Sequence, residues 1–384
     1  YEVAAAADAS DAYSKPISVK SLSARPPVLT VGVPAKADLK FFGDDAMQVS
    51  FEAALTSLKT LGCKLVEIPF GDFYATANLL YEGAWVAERY AAIAEFFKTK
   101  ADAMHSVTHA IIGGAEKLSA ADAFNGLYAL QALKAKLASV ISSVDVFCVP
   151  TAPTHYTVEA VLTDPIVTNS RLGTYTNFVN LLDLCGIAVP SGIRSDGLPM
   201  SITLIAQAGN DHLVAALARD IHTNSQLPMG ATGWQQPTAL PLPSRNSEGM
   251  IEIVVVGAHL SGMPLNHQLK DLGGHFCRVA KTIPAYSLYA LAGQTIPKPG
   301  LLRSAEGKGS SIEVEVWALP PEGFGTFVDA IPSPLGIGTL ALDDGTNPKG
   351  FLVETFGLKG ATDISLLGGW RRYIAELRSQ NQNM

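Results

Sequence analysis

The chain has 384 residues, 48% of them hydrophobic and only 16% charged, with a formal net charge of −7. At roughly 100–200 residues per domain the length suggests two or three domains. Disorder is excluded, since it needs few hydrophobes and much charge. The acidic balance excludes a broad nucleic-acid or anionic-membrane surface, which needs clustered Lys and Arg, but leaves room for a local basic pocket that takes a small anion. No apolar run reaches the ~20 residues of a membrane span. Cys63, Cys148, Cys185 and Cys277 form no CxxC pair and sit among apolar neighbours. That usage fits buried reduced thiols in a cytoplasmic protein. The start, Tyr1-Glu2-Val3-Ala4, has neither an initiator Met nor a secretory pattern, so a processed chain or a piece of a longer one is expected.

Val28 to Val33 reads as a short buried strand. Asp44 to Leu61 reads as a helix, because Met47, Phe51, Leu55 and Leu58 recur every three or four residues. Gly62 is its expected stop, and Cys63 to Phe70 is a second strand. Strand, helix and strand within about 40 residues is the βαβ signature of a parallel sheet covered by helices. Two further helices are expected near Ala75–Lys98 and Ala120–Ser142, the second capped by Ser119 with Asp122. Val144 to Val149 is an apolar, doubly buried strand. Thr176 to Leu184 reads as helix, Ile187 to Pro190 as extended, Ser195-Asp196-Gly197 as a turn, Met200 to Ala206 as strand and Asp211 to His222 as helix.

Between Ser225 and Glu248 the repeated Pro and Gly interrupt any regular element, so this stretch is the expected linker. Ile251 to Val256 and Ser311 to Ala318 follow as strands. In this second region only Leu366 to Leu377 reads clearly as helix. A small α+β or mostly β domain is expected there. The tail, residues 379–384, is expected to fray.

Candidate chemistry falls in three places. On one continuous helix Tyr81, Trp85 and Arg89 would share a stripe. The planar fork of Arg89 matches a carboxylate, with Tyr81 as a further donor; pairing of Arg89 with Glu82 or Glu88 is the structural alternative. The run Asn169 to Phe178 is dense in polar groups ahead of an apolar helix, which Thr174 or Thr176 could cap. It could equally be a capped helix start or an anion site, and Arg171 and Tyr175 are its candidates. Third, Val254 to Val256 runs straight into Gly257-Ala258-His259 and on to His267. Backbone N–H groups past a strand end make an anion nest, and His259 and His267 are possible proton carriers; a purely structural loop is the other reading. No metal site is expected: His105 and His109 lack the Glu of a metalloprotease helix. No phosphate loop or GxGxxG occurs, so no cofactor is expected.

Several stretches together resemble a family. Leu80 to Tyr90, Val149-Pro150-Thr151-Ala152-Pro153-Thr154, Asn169 to Leu184 and Gly197-Leu198-Pro199-Met200-Ser201-Ile202 look like the allophanate hydrolases, members of the amidase signature family. The likeness continues into Gly257 to His267, which is similar to the C-terminal domain of those enzymes, of a fold similar to γ-glutamylcyclotransferases. It implies an α/β chain. Residues 1–224 would be the latter part of an amidase signature domain, a mixed sheet flanked by helices and incomplete here. Residues 225–248 would be a linker, and residues 249–378 the small α+β C-terminal domain.

The reaction implied is hydrolysis of allophanate to ammonia and carbon dioxide through N-carboxycarbamate. The family's carboxylate-recognising Tyr and Arg fall on Tyr81 and Arg89. Its Lys and two Ser residues do not carry over, because the Gly-Gly-Ser-Ser-Gly-Gly stretch is absent from these residues. Hydrolysis by this polypeptide alone is therefore not expected, and a non-catalytic binding or assembly module is the alternative. The cyclotransferase Glu is also missing, because the corresponding stretch appears as Thr326-Phe327-Val328-Asp329-Ala330-Ile331-Pro332. The implied partners are the small anionic substrate, a biotin-dependent urea carboxylase that makes it, and a second copy in a homodimer.

Overall fold

The computed structural model describes residues 5–16, 20, 22–81, 83–238, 249–293, 295–305 and 307–382. The chain folds as two compact units. One spans Thr30–Ala239; the other combines Tyr1–Leu29 with Leu240–Met384. The first 29 residues thus go with the C-terminal part, whereas the sequence reading counted them with the stretch 1–224. Long-range bonds join the two stretches: the Ser23 hydroxyl donates to the Phe276 carbonyl at 2.6 Å, and the Val28 N–H to the Ser261 hydroxyl at 3.3 Å. Residues 239–248 of the expected linker and the last two residues of the tail lie outside the described residues.

The first unit is built on a five-stranded sheet. Its strands are β1 (Thr30–Pro34), β2 (Lys64–Ile68), β3 (Val146–Pro150), β4 (Leu184–Ile193) and β5 (Pro199–Gln207), in the order β2-β1-β3-β5-β4. β1 runs parallel to β2 and β3, with Val31 facing Leu65 and Val146. β5 is antiparallel to both β3 and β4. The βαβ reading is therefore borne out, and the sheet is mixed.

Nine helices surround this sheet among the described residues. α1 (Asp45–Thr60) starts where Asp44 accepts from the Met47 N–H, and buries Met47, Phe51, Ala54 and Leu58, one stripe at helical spacing. α2 (Gly71–Asn78) passes through a 3-10 turn, Leu79–Tyr81, before α3 (Ala84–Lys100) begins. The continuous helix expected near Ala75–Lys98 is thus broken. Gly83 holds φ +64° and ψ −128°, a conformation closed to residues with a Cβ. Tyr81 and Arg89 are consequently not on one stripe. α4 (Ser106–Gly113) has His105 at its N-cap position without a side-chain capping bond, and His109 stacks on Phe97 at 4.8 Å. α5 (Ala120–Ser142) opens with the capping box of Ser119 and Asp122 that the sequence signalled. α6 (Val158–Thr163), α7 (Pro165–Leu172), α8 (Phe178–Leu181) and α9 (Asp211–Ser225) complete the unit. An aromatic cluster of Phe70, Phe73, Tyr74, Phe147, Tyr175 and Phe178 packs against the sheet, with ring centroids as close as 4.6 Å.

The second unit carries β6 (Ile251–Val255), α10 (Asn266–Asp271), β7 (His275–Lys281), β8 (Tyr286–Ala290), β9 (Pro299–Arg303), β10 (Glu313–Leu319), α11 (Pro321–Asp329), β11 (Leu335–Thr339), β12 (Lys349–Val353), β13 (Thr362–Asp363) and α12 (Trp370–Gln382). Five strands form one sheet, β11-β12-β6-β10-β7, and three a smaller one, β13-β8-β9. The α+β expectation holds, but α10 and α11 were not read from the sequence. Both are short, and Gly323 and Gly325 weaken the helical signal of α11. The last helix starts four residues later than expected, because Gly368 takes φ +69° and ends a 3-10 turn before Trp370.

Candidate functional site

In the first unit a cavity of about 280 Å³ is lined by Lys40, Phe42, Tyr74, Tyr81, Arg171 and Asn177, among others. Lys40 stands on the loop after β1, Tyr81 ends the 3-10 turn after α2, Arg171 lies in the last turn of α7, and Asn177 precedes α8. Gly173 ends α7, and a Cβ there would run into the Asn177 amide, so the glycine is what lets Asn177 fold toward the site. The Asn177 side chain donates to the Tyr81 hydroxyl at 2.9 Å, which leaves the phenolic proton available to an acceptor in the cavity. Lys40 Nζ lies 3.9 Å from the centroid of the Tyr74 ring, and the Arg171 guanidinium lies 4.8 Å from that of Phe42. Both cations rest on aromatic faces and face no carboxylate among the described residues. Arg171 also donates to the Tyr156 hydroxyl at 3.5 Å.

Tyr175 does not line this cavity. It is fully buried; its hydroxyl accepts from the Lys40 N–H at 2.7 Å and donates to the Lys40 carbonyl at 3.1 Å. It holds the backbone of the loop that presents Lys40, and burial raises its phenol pKa, so it stays neutral. Thr174 and Thr176 were expected as caps, but neither caps α8; Thr174 donates instead to the Arg171 carbonyl at 2.6 Å. Arg89 is half-buried on α3 and is not among the lining residues. Glu82, one of its two expected partners, lies outside the described residues, and Glu88 is exposed.

A buried ion network fixes the far end of the Lys40 loop. Arg194 grips Asp44 with two bonds of 2.8 and 3.0 Å and Asp196 with two of 3.1 and 2.7 Å. Asp44 also accepts from the Met47 N–H and the Thr154 hydroxyl, each at 2.9 Å. Desolvation opposes ionisation of Asp44, but Arg194, Met47 and Thr154 outweigh it and hold the carboxyl below its ordinary range.

The second unit has a larger cavity, about 470 Å³, at the end of β6. Its walls are mostly apolar, and His259, Gln268, Lys298 and Thr326 are among the few polar side chains that reach it. Past β6 the chain turns tightly, with the Leu260 N–H on the Gly257 carbonyl at 3.0 Å. His259 is held on three sides. Its Nε2 donates to Gln268 Oε1 at 2.8 Å, its ring stacks on Phe351 at 5.3 Å, and it meets the edge of Phe327 at 5.0 Å. Because Nε2 carries the proton, Nδ1 keeps a lone pair. Burial lowers the His259 pKa, the Gln268 bond works against this, and the neighbouring Lys298 and His267 add to the lowering, so the ring is neutral near pH 7.

Ser261, two residues on, is anchored to Glu315. His267 is exposed, bonds the Pro264 carbonyl at 2.9 Å and does not line the cavity. Of the two expected histidines only His259 is in place to act there. Thr326, Phe327, Ala330, Ile331 and Pro332, from the stretch where a cyclotransferase would carry its Glu, line this same cavity.

Sequence reasoning missed Lys40 and Asn177 in the first cavity and Gln268 and Lys298 in the second. The Gly173–Asn177 spacing and the Pro-Lys-Pro context of Lys298 were the available signals. Among the described residues no three His, Cys, Asp or Glu side chains are grouped to hold a metal ion, and no helix is long and apolar enough to cross a membrane.

A mixed sheet wrapped by helices agrees with the comparison to known families. Residues 1–215, more than half of the chain, match the amidase family model, and the chain belongs to that family. Residues 251–375 match the allophanate hydrolase C-terminal domain. The chain is 38% identical to the urea amidolyase of Lachancea kluyveri over 96% of its own length, but spans only 21% of that protein. The structure of Kluyveromyces lactis allophanate hydrolase matches 98% of this chain and is covered to 63%, at 37% identity and a TM-score of 0.69. The Kluyveromyces lactis urea amidolyase structure matches 97%, is covered to 23%, and gives 37% identity and a TM-score of 0.68.

Proposed function

We propose that this chain supplies substrate recognition and the C-terminal domain of an amidohydrolase of urea catabolism that acts on allophanate. The observation that carries the reading is the first cavity. An acidic protein places Lys40, Arg171 and the free proton of the Tyr81 phenol around about 280 Å³, a space suited to a small ureido carboxylate. The relatives named urea amidolyase and allophanate hydrolase support it. On this reading the carboxylate of allophanate lies against Arg171 and Lys40 and accepts from Tyr81. The resemblance puts the family's carboxylate-recognising Arg at Arg89; that residue does not line this cavity, so its part in the clamp is what the test below decides, while Tyr175 supports the Lys40 loop.

The family's two Ser residues lie in and just after a Gly-Gly-Ser-Ser-Gly-Gly stretch that these 384 residues do not contain. These residues orient the amide, and the nucleophile comes from that segment. The N-carboxycarbamate so formed passes to the second cavity. There its C–N bond breaks, the nitrogen keeps the electron pair and takes a proton relayed from water by His259, and carbon dioxide and carbamate leave. A biotin-dependent urea carboxylase is the proposed source of allophanate, and a cytoplasmic homodimer the proposed assembly.

The test is ammonia release from allophanate by the chain joined to a family segment bearing Gly-Gly-Ser-Ser-Gly-Gly. The proposal expects turnover, with kcat/KM about 10- to 100-fold lower in Arg89→Ala, the loss of one charge-assisted contact. An unchanged value removes Arg89 from the clamp. The second reading is a binding or assembly module with no hydrolysis of its own. Ammonia released above background by the chain as it stands would sink it.

A further inference from the structure

We propose that Lys298 is the anion-holding residue of the second cavity and sets its preference for a small carboxylate that reaches His259. The inference deepens the reading of that cavity as the N-carboxycarbamate site, and rests on it.

Three observations carry it. The first is the backbone. Gly257 and Pro299 touch so closely that a Cβ on Gly257 would collide with the Pro299 ring. This contact seats the start of β9 against the turn that holds His259, and Lys298, one residue earlier, lines the same cavity. The second is rigidity. Lys298 lies between Pro297 and Pro299. The first ring fixes its own φ, and the second confines Lys298 to extended backbone. The Lys298 carbonyl also accepts from the Leu291 N–H at 3.1 Å, closing the loop between β8 and β9. The lysine is therefore presented by a pre-set backbone.

The third observation is charge. Among the described residues Lys298 has no carboxylate within ion-pair distance, although it stands in a largely apolar cavity. The other titratable groups there are His259 and Asp271, and Asp271 is exposed at the end of α10. A half-buried ammonium without a counterion attracts an anion that can reach it. Gln268 is occupied by His259, which leaves Lys298 as the group that supplies the charge. A dianion such as N-carboxycarbamate would place one carboxylate on Lys298 and bring its nitrogen toward His259.

The experiment uses the full chain and malonate, which has two carboxylates on one central atom, as N-carboxycarbamate has. The imidazole proton signal of His259, assigned with His259→Gln, is followed by NMR during titration. Malonate is expected to shift it saturably and uncharged malonamide to leave it in place. Lys298→Met should weaken malonate at least 10-fold, Lys298→Arg should stay within about 3-fold of the parent, and the exposed Lys308→Met should match the parent. The signal of His259 within each variant also reports whether the unit is folded. If malonate moves His259 equally well in Lys298→Met, the role of Lys298 is overturned while the cavity reading survives. If malonate does not move His259 in the parent chain, the cavity reading fails and the role of Lys298 fails with it.

Discussion

Removing the Arg371 guanidinium should destabilise the second unit severely. Glu315 lies at 0% exposure in the middle of β10. Its carboxylate accepts from the Ser261 N–H at 2.8 Å, the Ser261 hydroxyl at 2.7 Å and the Trp317 indole at 3.0 Å, and Arg371 from α12 provides the countercharge. The same Arg371 nitrogen donates to the Ser261 carbonyl and hydroxyl, each at 2.8 Å. In Arg371→Met the carboxylate stays buried with neutral donors but no cation. Breaking a buried pair from one side costs about 3–5 kcal/mol, a large share of the roughly 5–15 kcal/mol that holds a typical fold. With a urea m-value of about 2 kcal/mol/M this lowers the unfolding midpoint by roughly 2 M. Trp317 and Trp370, both buried in this unit, report the transition by fluorescence. Glu315→Gln added to Arg371→Met removes the stranded charge and should recover at least half of the loss, since the Gln carbonyl still accepts. A shift below about 0.5 M for Arg371→Met, or a double variant as weak as the single one, would refute the argument.

Other expectations follow from the same reasoning. His275 is 3% exposed, and its pKa is lowered from 6.5 to about 4, chiefly by burial and then by the charge of Lys20. The unfolded chain binds that proton first, so its contribution is complete above pH 6.5 and is lost as pH falls toward 4. The loss amounts to about 3 kcal/mol; urea midpoints that stay level from pH 7 to 4, after comparison with His275→Gln, would contradict this. Asp44→Asn keeps an acceptor for the Met47 N–H but loses the charge facing Arg194, and should cost about 1–3 kcal/mol in thermal or urea unfolding; an unchanged midpoint would mean the network is slack. The proposed homodimer predicts twice the chain mass in light scattering, and a monomer mass would rule it out.

The elements most legible in the sequence were those whose local signals agreed with one another. Ser119 and Asp122 announced α5 through capping chemistry, and Met47, Phe51 and Leu58 announced α1 through spacing, because both signals lie within one or two turns. The Tyr81–Arg89 stripe failed for an equally local reason. A single glycine at φ +64° breaks the helix between the two residues, and nothing in the spacing of the aromatic residues reveals that angle. Tyr175 was legible as part of a polar run, but its role depends on Lys40, 135 positions away, and no local pattern encodes such a contact. Lys40 and Lys298 escaped notice because an isolated lysine on a loop is ordinary in sequence. Each gains meaning only where folding sets it over Tyr74 or beside His259. The paired His259 and His267 looked equivalent as sequence, and burial of one ring between Phe327 and Phe351 separates them.

The central claim is that the first cavity recognises the carboxylate of a small ureido acid. It is tested most directly by comparing allophanate with biuret, in which an amide replaces that carboxylate. The chain joined to a nucleophile-bearing family segment should prefer allophanate in kcat/KM, and Arg171→Gln should reduce that preference about 10- to 100-fold while leaving biuret turnover nearly unchanged. Equal losses for both substrates, or no preference for allophanate in the parent protein, would contradict the account.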